Sequence, residues 1–162
     1  MNSAIERLLT LRVSDVMNSP VVMVPDHITM GEAARLLTSN DVSGVPVVNV
    51  HGRCVGVLSA ADFAERAFRG ASLQSLDSQD SATVKTTGDT IPAVAAVDDT
   101  LVADHMSPLV QTVGVASPIM NAARIMCREH IHRLIIVDDD QRPIGVVSSL
   151  DLVAAMVAAI EE

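Results

Sequence analysis

The chain has 162 residues, 49% of them apolar and 19% charged, the proportions of an ordinary globular unit and not of a disordered or fibrous one. Eleven basic against twenty acidic residues give a formal net charge of −9, which argues against a general grip on nucleic acid, where affinity comes from Lys and Arg. With no Trp, no Tyr and only Phe63 and Phe68, the chain also lacks stacking platforms for single-stranded bases.

In chain order, the N-terminus carries Glu6 and Arg7 where a signal peptide would be apolar. Val21 to Val24 reads as a short strand. Thr29 and Glu32 have capping-box spacing, and Met30, Ala33, Ala34, Leu36 and Leu37 then share one face of a helix of about three turns. Val45–Val48 and Cys54–Leu58 read as strands joined by a hairpin turn, Asn49 to Arg53, with Gly52 inside it. A second helix opens at Ser59. Residues 69–98 are rich in Ser, Thr, Asp and Gly and read as a flexible connector. Beyond it the same order returns. Leu109 to Thr112 is a strand, and Ser117-Pro118 starts a helix with Ser as cap and Pro at its first position. Strands Leu134–Val137 and Ile144–Val147 flank Asp138-Asp139-Asp140, and a helix runs from Ser148 to the C-terminus.

This return is a duplication. Residues 33–62 laid over 122–151, an offset of 89, agree at nine of thirty positions: Ala33, Ala34, Arg35, Val48, Arg53, Gly56, Val57, Ser59 and Asp62. Chance would give about two. The register also places Val13, Asp15 and Met17 on Val102, Asp104 and Met106, and slips by one to pair Pro20-Val21-Val22 with Pro108-Leu109-Val110. Each β-α-β-β-α unit of about 55 residues is near the lower limit for an independent core, so the two copies are expected to pack sheet against sheet and share one.

Cys54 and Cys127 lie in apolar runs, where free thiols of an intracellular protein are usually buried. The apolar run Leu152 to Ile160 is far shorter than the ~20 residues a membrane span needs. These features point to the cytoplasm.

The residues resemble a family: tandem cystathionine-β-synthase (CBS) domains, also called a Bateman module. The first copy carries Val13-Ser14-Asp15-Val16-Met17, Val42-Ser43-Gly44-Val45-Pro46-Val47-Val48 and Gly56-Val57-Leu58-Ser59-Ala60-Ala61-Asp62. The second carries Ala103-Asp104-His105-Met106, His132-Arg133-Leu134-Ile135-Ile136-Val137-Asp138 and Gly145-Val146-Val147-Ser148-Ser149-Leu150-Asp151. The resemblance implies an α/β fold of the α+β type with two repeats related by pseudo-twofold symmetry and packed through their sheets. It divides the chain into a first domain over 10–68, the connector over 69–98 and a second domain over 99–160, and it implies a dimer.

Ser-x-x-Asp at a strand-to-helix junction has two readings. The acid can complete a cap, or its carboxylate at a cleft mouth can hold the vicinal diol of a ribose, as acidic residues do in dinucleotide-binding folds. An acid at a helix start repels a phosphate in direct contact, so cations must supply the phosphate side. The second copy has Arg128, His130, His132 and Arg133 where the first has Ser39, Asp41, Ser43 and Gly44. Similarity to the last repeat of the γ subunit of AMP-activated protein kinase implies that Asp151 holds ribose, with Ser148 and Arg133 on the phosphate side; His132 is a further candidate of the same site. Adenine would lie against Pro20, Val22, Val42, Ser43 and Gly44. The mirror site would use Ser59 and Asp62 against Pro108, Val110 and Ile131.

Other features have plainer readings. His130-x-His132 lacks a Cys or carboxylate at ligand spacing, so no metal site is expected. Asp138–Asp140 reads as a solvated turn. Arg35 and Arg124 read as rim residues whose stems pack. Leu152, Val153, Met156, Val157 and Ile160 read as core or dimer contact. Ser59 or Ser148 as a nucleophile lacks a shared histidine base, which argues against an enzyme. The expected function is a stand-alone sensor that binds an adenosine nucleotide of the AMP, ADP or ATP class as a ligand and signals to a partner protein. No cofactor, nucleic acid or membrane is expected to take part. The alternatives are a nucleotide-free dimerising scaffold or a binder of S-adenosylmethionine or NAD.

Overall fold

The computed structural model describes residues 2–74, 99–108 and 110–161. Leu109 and the stretch 75–98, which holds most of the predicted connector, lie outside the described residues. The first repeat runs β1 (Val24–Pro25), α3 (Met30–Ser39), β2 (Gly44–Val48), β3 (Cys54–Ser59) and α4 (Ala60–Gln74). The second runs β4 (Thr112–Gly114), α6 (Ile119–Glu129), β5 (Arg133–Val137), β6 (Pro143–Ser148) and α7 (Ser149–Glu161). Ahead of them stand α1 (Asn2–Thr10) and α2 (Val13–Val16), and ahead of the second repeat stands α5 (Val102–His105). Each repeat forms a three-stranded sheet in sequence order. The first pair of strands is parallel in both, and β5 and β6 are antiparallel.

The chain divides into two compact units, and each takes its leader helix from the opposite repeat. One unit holds Met1–Val21, Gly52–Cys54 and Val110–Glu162, and the other Val22–His51 and Val55–Leu109. Val13 of α2 is fully buried with Val113, Ile119, Leu134, Ile136 and Val147, and Val102 of α5 is fully buried with Val24, Met30, Leu37, Leu58 and Phe63. Where the sequence suggests one shared core, the structure has an apolar cluster in each unit, because the leader supplies the missing apolar side chain.

Local chemistry accounts for most boundaries. Thr29 caps α3: its Oγ1 accepts from the Glu32 amide at 3.1 Å, and the Glu32 carboxylate accepts from the Thr29 amide at 2.9 Å. These bonds hold the Glu32 carboxyl below its ordinary value. Asp41 and His130, at equivalent positions after α3 and α6, both adopt left-handed backbone (φ 52 and 54), as do Gly52 and Gln141 in the two hairpins (φ 77 and 63). The turns are repeated although the residues are not.

Several expectations change. The first strands begin later than predicted, at Val24 and Thr112, the earlier residues forming no described ladder. Pro118 is the N-cap of α6 and not its first residue, and having no polar side chain it forms no side-chain cap; the Ser117 Oγ accepts from Asn121 Nδ2 at 3.0 Å. Leu36 is 39% exposed, because the buried stripe of α3 is narrower than its apolar pattern. Cys127 is exposed and Cys54 partly buried; both are free. Residues 69–74, predicted as connector, continue α4 to Gln74. No helix among the described residues is long and apolar enough to cross a membrane.

Candidate functional site

Both strand-to-helix junctions close with the same geometry. At β6–α7, Asp151 Oδ2 accepts from the Ser148 amide at 2.7 Å and from the Ser148 hydroxyl at 2.7 Å, while the Asp151 amide donates to Ser148 Oγ at 3.1 Å. At β3–α4, Asp62 Oδ2 accepts from the Ser59 amide at 2.7 Å and its hydroxyl at 3.1 Å. The carboxylate half of the capping box is formed in both copies, and the serine half, amide to hydroxyl, is formed in the second. The first amide of each helix ties it to the residue just ahead of the middle strand of its sheet: Ser149 donates to His132 O at 2.9 Å, before β5, and Ala60 to Ser43 O at 2.8 Å, before β2.

The leader segments complete these corners. The Asn18 amide and carbonyl pair with Val146 at 2.9 and 3.1 Å, and those of Ser107 pair with Val57, both at 2.9 Å. The repeated glycines make this approach possible. A Cβ on Gly145 would stand 2.6 Å from Met17 Sδ and 3.0 Å from Asn18 O, and one on Gly56 would stand 2.5 Å from Met106 Sδ and 2.9 Å from Ser107 O. The repeated Met and Gly of the sequence thus form one packing contact in each unit. So placed, Asn18 Nδ2 donates a third bond to Asp151 Oδ2 at 3.1 Å. Among the described residues Asp151 Oδ1 accepts none.

The predicted site residues sort by unit. Pro20, Val110, Ile131, His132, Arg133, Ser148 and Asp151 belong to one, with the Ser19–Pro20 peptide cis. Val22, Val42, Ser43, Gly44, Ser59, Asp62 and Pro108 belong to the other. His132 and Arg133 are exposed. Gly44 lies beside Ser59 of its own unit, a Cβ built on it falling 3.8 Å from Ser59 Cβ.

Two features were missed from the sequence. Asn18 falls where the alignment slips, opposite Ser107, and its reach to Asp151 needs the leader pairing. The second is a cleft of about 220 Å³ in the other unit, lined by Asp62, Glu65, Arg66, Arg69, Asp104 and His105. Its charges were legible only as part of a polar helix face.

The serine hydroxyls have no histidine partner among the described residues, and Ser148 Oγ is held in the cap. Among the described residues no three His, Cys, Asp or Glu side chains converge as metal ligands. His130 ends α6 in left-handed conformation, and Asp138 Oδ1 accepts from the amides of Asp140 (2.9 Å) and Arg142 (3.0 Å), which makes the acidic run a hydrogen-bonded turn.

The model of the CBS domain matches the chain twice, over residues 13–69 and 102–158. The chain belongs to the CBS-domain family. It is 28% identical over 153 residues to the uncharacterized protein MJ1426 of Methanocaldococcus jannaschii, covering 90% of each. Among solved structures it is similar to CBSX2 of Arabidopsis thaliana in complex with AMP, with a TM-score of 0.65, 25% identity, and 93% of this chain and 98% of that one covered. It also shares the fold of the CBS domain pair of protein MJ0100 in complex with 5′-methylthioadenosine and S-adenosyl-L-methionine, with a TM-score of 0.67 and 21% identity over 92% of this chain and 98% of that one. Several other curated relatives are longer, and the match to this CBS chain spans from about a quarter to a little over half of the length of four of them.

Proposed function

We propose that this CBS protein is a regulatory sensor, not an enzyme, which binds an adenosine nucleotide of the AMP, ADP or ATP class and passes the change to a partner protein. The observation that carries the reading is the Asp151 carboxylate. Three donors fix one oxygen, and the other accepts no bond among the described residues, at a corner where the Arg133 guanidinium and the His132 imidazole are exposed. A rigid anionic acceptor of this kind suits a ribose diol, and the guanidinium with the imidazole donor beside it suits a phosphate. The AMP complex of the similar CBSX2 supports the ligand class. In the other unit Ser59 and Asp62 offer the same junction with Ser43 and Gly44 beside it, and so a second adenosine site without the cationic pair. Both free thiols suit the cytoplasm.

A ligand that binds only the folded chain stabilises it by RT ln(1 + [L]/Kd), about 2.7 kcal/mol at a hundredfold excess over Kd. Melting in the presence of AMP, ADP, ATP, S-adenosylmethionine or NAD is expected to rise with at least one phosphorylated adenosine. No shift with any of the five at millimolar concentration would favour a nucleotide-free dimerising scaffold. One observation favours that second reading: α7 leaves Leu150 (74%), Val153, Val157 and Ile160 (71%) exposed. In our reading this face joins two copies as a homodimer while the sites stay available.

A further inference from the structure

α7 is apolar on both of its faces. Leu152 and Ala159 are buried, and Leu152 and Ala155 belong to the core of their own unit. On the exposed side Leu150, Val153, Val157 and Ile160 recur at steps of three, four and three, with the exposed Ala154 and Ala158 between them. That spacing is the seam of a helix packed lengthwise on another helix. The charged residues of α7 are Asp151 and Glu161, near its two ends, and a helix that is apolar all round belongs in an interior. α1 packs against α7, and while its Leu8 joins the core it leaves Ile5 and Leu9 exposed. We propose that this face is covered by the same face of a second copy, α7 lying along α7 of the partner and α1 widening the contact. The inference rests on the homodimer reading above and names the helices that meet.

Charge and area both select like on like. At the offset of 89 the counterpart of α7 is α4, and the four seam positions correspond to Ala61, Ala64, Phe68 and Ala71. Where α7 has Ala154 and Ala158, α4 has Glu65 and Arg69, which form an exposed ion pair. Laid on α4 of a second copy, the α7 seam would strip water from that pair and offer it no new partner. α7 on α7 instead sets apolar side chains against apolar side chains. The four seam residues with Ile5 and Leu9 are 48% to 74% exposed. At ~100 Å² for a fully exposed aliphatic side chain, they offer roughly 350 Å² of apolar area per copy. A homodimer contact of standard size, ~800 Å² per partner and ~65% apolar, needs roughly 500 Å². The face supplies more than half of that before Ala154 and Ala158 are added.

The test is disulfide trapping in the full chain, with Cys54→Ala and Cys127→Ser removing both native thiols. Val153→Cys and Val157→Cys are oxidised with copper phenanthroline, alone and as an equimolar mixture. A second mixture pairs Val157→Cys with Phe68→Cys, its equivalent on α4, and both mixtures are first left to exchange subunits. Like-on-like pairing is expected to give covalent dimer from Val153→Cys, Val157→Cys or their mixture at least tenfold faster than from Val50→Cys. Val50 is an exposed residue beside a hairpin turn and measures chance collision. Ile5→Glu with Leu9→Glu should raise the dissociation concentration of the dimer at least tenfold in light scattering, and an unchanged value would overturn the part given to α1. A dimer trapped only when Val157→Cys meets Phe68→Cys, or trapped in none of these, would overturn the pairing and leave the homodimer reading standing. A wild type that stays monomeric in light scattering would overturn both.

Discussion

Asp151→Asn tests the candidate site most directly, because the two roles of this carboxylate have different readouts. As a cap, Asp151 Oδ2 accepts from the Ser148 amide, the Ser148 hydroxyl and Asn18 Nδ2. An amide oxygen of the same size can keep these bonds but loses their charge assistance and the anion in the first turn of α7. This loss is expected to cost about 0.5–1 kcal/mol of stability. As a ribose acceptor, the side chain would lose charged hydrogen bonds to the ligand, about 1.5–3 kcal/mol. That corresponds to roughly 10- to 150-fold in Kd. Urea denaturation and calorimetric titration with the best nucleotide read the two separately. Asn18→Ala is the companion variant. It removes the third donor while both Ser148 bonds remain, so it should lower affinity modestly with little effect on folding. A stability loss in Asp151→Asn with Kd unchanged would refute the ribose role and leave a helix cap. Equal affinity losses in Asp151→Asn and Asp62→Asn would show that His132 and Arg133 do not set the order of the two sites.

Four further outcomes follow from the packing. Gly145→Ala is expected to destabilise by about 1–3 kcal/mol, because its Cβ would meet Met17 Sδ and the Asn18 carbonyl; an unchanged urea midpoint would show that the leader yields without cost. Val13→Ala removes two methyl groups that are fully buried against the second repeat, so a loss of roughly 1–3 kcal/mol in the same assay checks that the leader is part of that core. Light scattering should give about twice the 17.1 kDa of one chain, and Ile160→Glu with Val157→Glu should return the monomer mass; a monomeric wild type would refute the dimer face. The bonded Glu32 carboxyl has a lowered pKa, so its contribution is present above the ordinary Glu range and lost as pH falls through the depressed value. Glu32→Gln should therefore lower stability near neutral pH and flatten the acid limb of the stability profile, and an acid limb parallel to wild type would count against the cap.

Much of this protein is written locally. The duplication at offset 89, the order of elements and the Thr29–Glu32 box all depend on near neighbours in sequence, and so does the Ser-x-x-Asp junction that recurs in both repeats. The C-terminal stripe was only half legible. Leu152 is buried in the core whereas Leu150 and Ile160 are open, because helical periodicity identifies an apolar face but not what covers it.

What the sequence determined by itself was the family, the two β-α-β-β-α repeats and the candidate acids Asp62 and Asp151, since each rests on spacing along the chain. Only the tertiary structure decided which leader completes which core, why Gly56 and Gly145 recur, and that Asn18 reaches Asp151 across 133 positions. The cleft at Asp62 belongs with these, since its lining joins α4 to a helix some forty residues later in the chain. Such contacts join segments far apart in the chain and depend on close backbone approach, which no local preference encodes.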